Sequence, residues 1–169
     1  MLSLPTQNPL ESRPPQAHGS RQKESRPMFR QITPNLYVSP QISVDQVEEA
    51  KALGVTVIIN NRPDDEEPGQ TNGAEIEAAA KAAGLAYAAV PVAHGGFAPW
   101  QLDGMAEALG QAGEGKVLAY CRSGTRSTLL WALTRARAGD HPAALSEKAE
   151  AAGYDLTPIR QIMDALSAG

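Results

Sequence analysis

The stretch YCRSGTRS, residues 120–127, contains the only cysteine of this 169-residue chain. Cys121 is followed by Gly124 three residues later and by Arg126 five residues later. A thiol surrounded by backbone amides and a guanidinium favours the thiolate, which is the nucleophilic form of cysteine. Arg126 can offer two parallel hydrogen-bond donors to a bound oxyanion. These residue types and this spacing predict nucleophilic chemistry on an anionic substrate.

The stretch lies between a predicted strand over 116–120 and a predicted helix over 127–138. A loop of this kind turns several N–H groups inward, and the helix dipole adds partial positive charge at the same point. Gly124 permits the positive φ that a tight ring of amides requires. In the alternative interpretation, a lone cysteine at the end of a buried strand acts only as a small hydrophobic residue. The whole spacing favours an anion-binding loop formed by Arg122, Ser123, Gly124 and Thr125.

From residue 29 onward, strand-like and helix-like segments alternate along the chain. Residues 55–60 are almost entirely β-branched, which suits a strand covered on both faces. Ser43 and Gln46 form a capping box ahead of a helix over 44–53. The further predicted strands are 32–39 (at a sheet edge), 85–92 and 116–120, and the further predicted helices are 74–83, 99–112, 127–138, 142–152 and 157–166. We expect an α/β fold with a mostly parallel central sheet of four to five strands and helices on both faces.

In such a sheet, ligands bind outside the carboxyl ends of the strands. Three loops leave those ends, over 60–70, 93–98 and 121–126, and we expect them to converge. The first loop contains an acidic run, which is a solvated turn, a source of a general acid, or a charge that repels a dianion. Its members are Asp64, Asp65, Glu66 and Glu67. Arg62 precedes the run, and a salt bridge to those acids is favoured over a free positive charge in the cleft.

Composition and charge exclude several classes of function. A net charge of −4 gives no electrostatic footprint for nucleic acid, and no apolar run approaches the length of a membrane span. One cysteine and three scattered histidines give no metal-ligand spacing, so we expect no metal or cofactor. A lone thiol favours a reducing compartment, and we expect a cytoplasmic protein. Residues 1–28 lack apolar periodicity and are predicted to be a disordered extension, which leaves 29–169 as the catalytic domain.

Four stretches carry a resemblance to a known family: ITPNLYVSPQIS, GVTVIINNRPDDEEPGQ, PVAHGG and VLAYCRSGTRSTLLWAL. Over residues 29–139 the chain resembles the phosphatase-like domain family of beta-lactamase hydrolase-like proteins, which is related to dual-specificity protein tyrosine phosphatases. The resemblance implies a protein tyrosine phosphatase-like fold and a small-molecule or phosphorylated substrate. It also implies that Cys121 forms a thiophosphate, that Arg126 clamps the phosphate, and that the Ser127 hydroxyl helps the thiolate to leave.

The chain departs from that family pattern at two places. Four residues separate Cys121 from Arg126, whereas such phosphatases have five, and a loop of this length resembles that of rhodanese sulfurtransferases. These phosphatases also carry an aspartate on the preceding loop, where this chain has the residues AHGG over 93–96. His94 is a candidate general acid, and Asp103 is a weaker one because it falls inside a predicted helix. The alternatives are therefore a phosphoester hydrolase, a sulfurtransferase with a persulfide on Cys121, and a non-catalytic anion-binding module.

Overall fold

A computed structural model describes residues 29–93 and 95–169. The predicted disorder of residues 1–28 lies outside the described residues. Five strands form one sheet: β1 (Arg30–Thr33), β2 (Leu36–Ser39), β3 (Val55–Asn60), β4 (Ala86–Ala89) and β5 (Lys116–Tyr120). Their order in the sheet is β1-β2-β5-β3-β4, with β1 antiparallel to β2 and the other three pairs parallel. The predicted mostly parallel sheet is confirmed.

Helices cover both faces of this sheet. They are α1 (Val44–Ala52), α2 (Gly73–Ala82), α3 (Pro99–Gln111), α4 (Thr125–Arg137), α5 (Pro142–Ala151) and α6 (Arg160–Ala168), with a 3₁₀ turn at Thr157–Ile159. One buried cluster joins α1 and α2 to the sheet, and a second joins α3, α4, α5 and α6 to the opposite face. None of the helices in the described part of the chain combines the length and apolarity needed to cross a membrane.

The central strands β3 and β5 provide the rigid base of the site. Ile58 and Ile59 are both fully buried, on opposite faces of β3, and Leu118 and Ala119 are placed in the same way on β5. Burying each large aliphatic side chain stabilises the fold by about 1.5–3 kcal/mol. The loops that leave these two strands therefore start from fixed positions.

Helix α1 begins at the predicted capping box. The Ser43 N–H donates to Gln46 Oε1 at 2.9 Å, and the Gln46 N–H donates to Ser43 Oγ at 3.3 Å. Two otherwise unpaired N–H groups at the helix start are thereby satisfied. The helix ends before Gly54, whose φ of 98° lets the chain turn directly into β3.

The prediction of one edge strand over 32–39 is wrong. The chain reverses at Pro34 and Asn35, where the Asn35 N–H donates to Thr33 Oγ1 at 3.2 Å, so the segment forms the β1–β2 hairpin. β1 takes the edge of the sheet, and β2 lies between β1 and β5. The carboxyl end of β2, at Ser39, is thus brought next to the end of β5 and becomes part of the site.

Candidate active site

The carboxyl ends of four strands meet at one edge of the sheet. The Cys121 N–H donates to Ser39 O at 3.3 Å, and the Asn61 N–H donates to Tyr120 O at 2.8 Å. The Val92 N–H donates to Asn61 O at 2.9 Å. These bonds join the ends of β2, β5, β3 and β4 in that order. The convergence expected for three loops is confirmed, and the end of β2 adds a fourth.

Cys121 follows β5 immediately and is fully buried at the base of the loop. The Gly124 N–H donates to Cys121 Sγ at 3.1 Å. Gly124 is also the N-cap of α4, so the sulfur lies near the positive end of that helix. A hydrogen-bond donor and a helix N-terminus both stabilise a thiolate more than a thiol. Cys121 therefore occupies a position suited to a nucleophile.

Arg122, Ser123 and Thr125 are the exposed residues of the loop, and Ser123 and Thr125 bond to each other. The Thr125 N–H donates to Ser123 Oγ at 3.3 Å, and the Ser123 hydroxyl donates to Thr125 Oγ1 at 3.0 Å. The Arg122 side chain points toward solvent and is 63% exposed. Of the predicted amide ring, the Gly124 N–H thus faces the sulfur, whereas the Thr125 N–H is held by a neighbouring hydroxyl that an incoming anion would have to displace.

Gly124 is required for two reasons. Its φ is 92°, in the left-handed region that other L-residues enter only with strain. A Cβ at this position would also collide with Tyr154 Oη and lie 3.4 Å from the carbonyl carbon of Ser39. The loop is therefore packed tightly against Tyr154 and against Ser39 at the end of β2.

Arg126 is held by two groups from neighbouring loops. Its Nη1 donates to Glu66 Oε2 at 2.7 Å and to Val92 O at 2.6 Å, and its Nη2 donates to Glu66 Oε1 at 2.8 Å. These bonds use three of the five guanidinium N–H groups. The other two, on Nε and Nη2, share one edge of the planar group. The hydrogen bond to Glu66 raises the pKa of Arg126, and the nearby Cys121 raises it further.

Glu66 lies between two guanidiniums. It accepts from Arg126 and, at Oε1, from Arg62 Nε at 2.9 Å. The hydrogen bond from Arg126 lowers the pKa of Glu66 to about 2, against the opposing effect of burial, and Arg62 contributes in the same direction. A carboxyl group with this pKa is ionised near neutral pH and cannot donate a proton there. Glu66 therefore orients Arg126 instead of acting as a general acid.

Arg62 pairs with the acidic run, as the sequence predicted. Its side chain is buried, and it also donates to Glu67 Oε1 at 2.7 Å and to Gln41 Oε1 at 3.0 Å. Glu67 in turn lies 3.5 Å from Arg122 Nε. The acidic run is thus not simply a solvated turn. Three guanidiniums, of Arg62, Arg122 and Arg126, thus pair with two carboxylates, of Glu66 and Glu67.

Ser127 is buried behind the loop. Its hydroxyl donates to Asn61 Oδ1 at 2.8 Å, and Asn61 Nδ2 donates to Val90 O at 2.9 Å. The next residue, Thr128, donates its hydroxyl hydrogen to Gly124 O at 2.8 Å. These bonds tie the first turn of α4 to the ends of β3 and β4. Ser127 therefore fixes the position of the helix N-terminus that faces Cys121.

His94 and Asp103 are the two residues considered as general acids. His94 lies outside the described residues. Asp103 lies in α3 and its Oδ1 is 2.9 Å from Arg137 Nη1, so it belongs to a surface ion pair. Within residues 29–93 and 95–169, no cluster of three or more His, Cys, Asp or Glu side chains is placed to hold a metal ion.

Three residues that contact the site were not identified from the sequence. The Gln41 N–H donates to Arg122 O at 3.3 Å, Asn61 bridges Ser127 to Val90 O just after β4, and the Tyr154 hydroxyl donates to Ser123 O at 3.3 Å. Asn61 directly follows a buried strand, which is a signal that could have identified it. Gln41 and Tyr154 reach the loop only through the hairpin and the turn after α5, which no local pattern indicates.

Comparison with protein families identifies a related group. Residues 28–138 match the family described as "Beta-lactamase hydrolase-like protein, phosphatase-like domain". A Beta-lactamase hydrolase-like protein from Xylella fastidiosa (strain Temecula1) is 39% identical over 103 residues, which are 61% of this chain and 24% of that relative. The chain thus spans about a quarter of the length of this relative.

Solved structures share the fold. The crystal structure of nma1982, a candidate phosphatase from Neisseria meningitidis Z2491, matches with a TM-score of 0.71 and 36% identity, covering 81% of this chain and 96% of that one. TpbA from P. aeruginosa, solved as a cysteine-to-serine variant in complex with pTyr, matches with a TM-score of 0.59 and 20% identity, covering 83% and 88%. At 20% identity the likeness concerns the fold alone. The predicted protein tyrosine phosphatase-like α/β fold is confirmed.

Proposed function

Since the chain belongs to the phosphatase-like domain family of beta-lactamase hydrolase-like proteins, we propose that it is a cysteine-dependent hydrolase of phosphoesters. One arrangement carries the proposal. Cys121 Sγ accepts the Gly124 N–H at the N-terminus of α4, and the Arg126 guanidinium beside it is held in place by Glu66 and Val92 O. A stabilised thiolate next to an oriented cation is what phosphoryl transfer to sulfur requires.

Cys121 is the proposed nucleophile. Its thiolate attacks phosphorus, and the bond from phosphorus to the ester oxygen breaks as the S–P bond forms. The departing oxygen takes a proton, and the enzyme is left as a thiophosphate. A water oxygen then attacks phosphorus, the S–P bond breaks, and phosphate leaves with the thiolate restored. Because this cycle needs a reduced thiol, we expect the protein to act in a reducing compartment such as the cytoplasm.

Arg126 is the proposed clamp for the phosphoryl group. The edge formed by its Nε and Nη2 is free of the bonds to Glu66 and Val92 O, and it suits two phosphoryl oxygens at once. The dipole of α4 adds to the attraction. Since Glu66 fixes the guanidinium before substrate arrives, little reorganisation is needed as negative charge develops.

His94 is the proposed proton donor to the leaving oxygen. It follows Ala93 in the chain, and Val92 O accepts from Arg126, so the segment leading to His94 borders the site. Imidazole titrates near neutral pH and can supply this proton. We expect His94→Asn to slow hydrolysis of an alkyl phosphate more than that of a nitrophenyl phosphate, because nitrophenolate leaves readily without a proton. Equal slowing of both substrates would contradict this role.

A sulfurtransferase is the second candidate, and the short loop supports it. Four residues separate Cys121 from Arg126, and Gly124 N–H already lies 3.1 Å from Sγ, so the ring is small. In this reaction the Cys121 thiolate attacks the outer sulfur of thiosulfate, the S–S bond breaks, and sulfite leaves. Cyanide then takes the sulfur from the persulfide as thiocyanate. No general acid is needed, which fits a loop over 93–96 without a carboxylate.

Side-by-side assays decide between the candidates. An aryl phosphate is the first substrate to test, because TpbA was solved with pTyr, and thiosulfate with cyanide tests sulfur transfer. We expect wild-type protein to hydrolyse the aryl phosphate and Cys121→Ser to be inactive, since a serine hydroxyl does not ionise near neutral pH. Sulfur transfer alone would favour the second candidate. Neither activity, with anion binding retained, would indicate a non-catalytic module.

A further inference from the structure

Tyr154 and Cys121 lie at opposite ends of one peptide plane. The Tyr154 hydroxyl donates to Ser123 O at 3.3 Å, and the Gly124 N–H of the same peptide donates to Cys121 Sγ at 3.1 Å. The C=O and N–H of a trans peptide point in opposite directions because the unit is planar. A bond that fixes the Ser123 carbonyl on one side therefore directs the Gly124 N–H to the other, where the sulfur lies.

The orientation of the Ser123–Gly124 peptide has to be fixed by a contact from outside the loop. Gly124 has no Cβ and enters the left-handed region freely, so the chain around it can adopt either orientation of the Ser123–Gly124 peptide. In the reversed orientation the carbonyl oxygen of Ser123 would replace the N–H beside the sulfur. An oxygen with partial negative charge would then repel the Cys121 thiolate. The orientation of one peptide thus decides whether the loop stabilises or opposes the nucleophile.

Tyr154 is itself anchored by residues far away in sequence. The Arg30 guanidinium lies 5.6 Å from the centre of the Tyr154 ring, and its Nη1 donates to Ala152 O at 3.0 Å. A cation over an aromatic face is attracted by the negative ring surface. Leu156, two residues further along, is buried in the core. The hydroxyl is therefore presented to the loop by a fixed ring.

We propose that Tyr154 is a positioning residue that keeps the Ser123–Gly124 peptide turned so that its N–H faces Cys121. The contact comes from outside residues 28–138, the segment that matches the family. It acts on the thiolate and not on a particular substrate, so it applies to phosphoryl transfer and to sulfur transfer alike. The proposed role of Tyr154 would therefore still hold if the protein were not a phosphatase.

The test uses the ultraviolet absorbance of the thiolate. The chain has one cysteine, so the difference between each protein and its own Cys121→Ser counterpart reports the thiolate of Cys121 alone. At a fixed neutral pH, Tyr154→Phe should lower the ratio of thiolate to thiol by about threefold to tenfold, since one stabilising hydrogen bond is lost. The rate of the active reaction should fall by a similar factor through kcat, with KM changed less.

A second tyrosine and a second variant complete the experiment. Tyr37 on β2 packs against Phe29 and Lys116, away from the loop, so Tyr37→Phe should leave the thiolate absorbance unchanged. Arg30→Gln loosens the ring without touching the loop and should cause a smaller fall. A folded Tyr154→Phe with the wild-type thiolate absorbance would overturn the proposal. If Tyr154→Phe does not fold, an unchanged absorbance in Arg30→Gln would overturn it instead.

Discussion

The Arg126 guanidinium meets the Glu66 carboxylate end-on, with Nη1–Oε2 and Nη2–Oε1 distances of 2.7 and 2.8 Å. This pair joins the loop after β3 to the first turn of α4. It fixes the end of the guanidinium that carries Nη1 and Nη2, and it leaves the edge formed by Nε and Nη2 directed away from Glu66. Glu66 therefore orients Arg126, although it carries the same charge as the proposed substrate.

Glu66→Gln should destabilise the fold by about 2 kcal/mol near neutral pH, because a mostly buried pair of charged hydrogen bonds is lost. The pKa of Glu66 in the folded protein is about 2, below its usual value of 4.5. Its stabilising contribution is thus fully present above about pH 4.5 and is lost as the pH falls through about 2. Urea unfolding at about pH 7 and about pH 3 should show a smaller difference between wild type and variant at the lower pH.

Glu67→Gln is the matched control for this experiment. Glu67 also pairs with Arg62, but its side chain is 43% exposed, and the carboxylate that pairs with Arg126 is that of Glu66. Its replacement should cost less stability, because exposed ion pairs contribute little. A stability difference for Glu66→Gln that stays the same at both pH values would show that the ionised carboxylate is not what stabilises the loop.

Arg126→Ala should abolish the stabilisation of the protein by phosphate or sulfate. An anion that binds the folded state at about 100 times its Kd stabilises it by about 2.7 kcal/mol, which is readily seen in thermal unfolding. Arg160→Ala is a suitable control, since Arg160 forms an exposed pair with Asp164 on α6. The shift is measured within each variant, so the intrinsic stability of each cancels. A full shift in Arg126→Ala would disprove the assignment of the anion site.

Gly124→Ala should remove anion binding and cost more stability than Gly139→Ala. Both glycines have a positive φ, 92° and 106°, so both substitutions carry the strain of about 1–2 kcal/mol for that region. A Cβ at Gly139 meets nothing within 4 Å, whereas one at Gly124 collides with Tyr154 Oη. The difference between the two variants therefore measures the tight packing of the loop. Equal losses in thermal unfolding would show that the Gly124 contact with Tyr154 has no energetic role.

Lengthening the loop should separate the two candidate chemistries. One residue inserted between the exposed Arg122 and Ser123 restores five residues between Cys121 and Arg126, while Gly124 and α4 are kept. A larger ring leaves more room for the phosphoryl oxygens, so hydrolysis of an aryl phosphate should rise and sulfur transfer should fall. Circular dichroism and sulfate binding establish that the variant folds. If the wild type is already efficient and the folded variant gains nothing, the short ring is no handicap.

The sequence predicted the strands and helices that position the site better than the side-chain contacts within it. β3, β5 and the capping box of α1 follow from local patterns, because β-branched runs and the Ser43–Gln46 pair act over a few residues. The β1–β2 hairpin was missed although Pro34 and Asn35, residues typical of turns, interrupt the strand-like pattern over 32–39. An acidic run has the same composition whether it is solvated or holds Arg126, and only the fold distinguishes the two. Tyr154 reaches the loop by a contact that no periodicity encodes.

The proposed thiophosphate on Cys121 is tested most directly by the intact mass of the protein quenched in acid during turnover of an aryl phosphate. We expect an added phosphoryl group on Cys121 in the wild type, none in Cys121→Ser, and a longer-lived adduct in any variant that slows attack by water. Peptide mapping should place the group on residues 121–126. Hydrolysis that continues in Cys121→Ser, or a mass gain of a single sulfur atom from thiosulfate with no phosphoryl adduct under any condition, would contradict the phosphatase assignment.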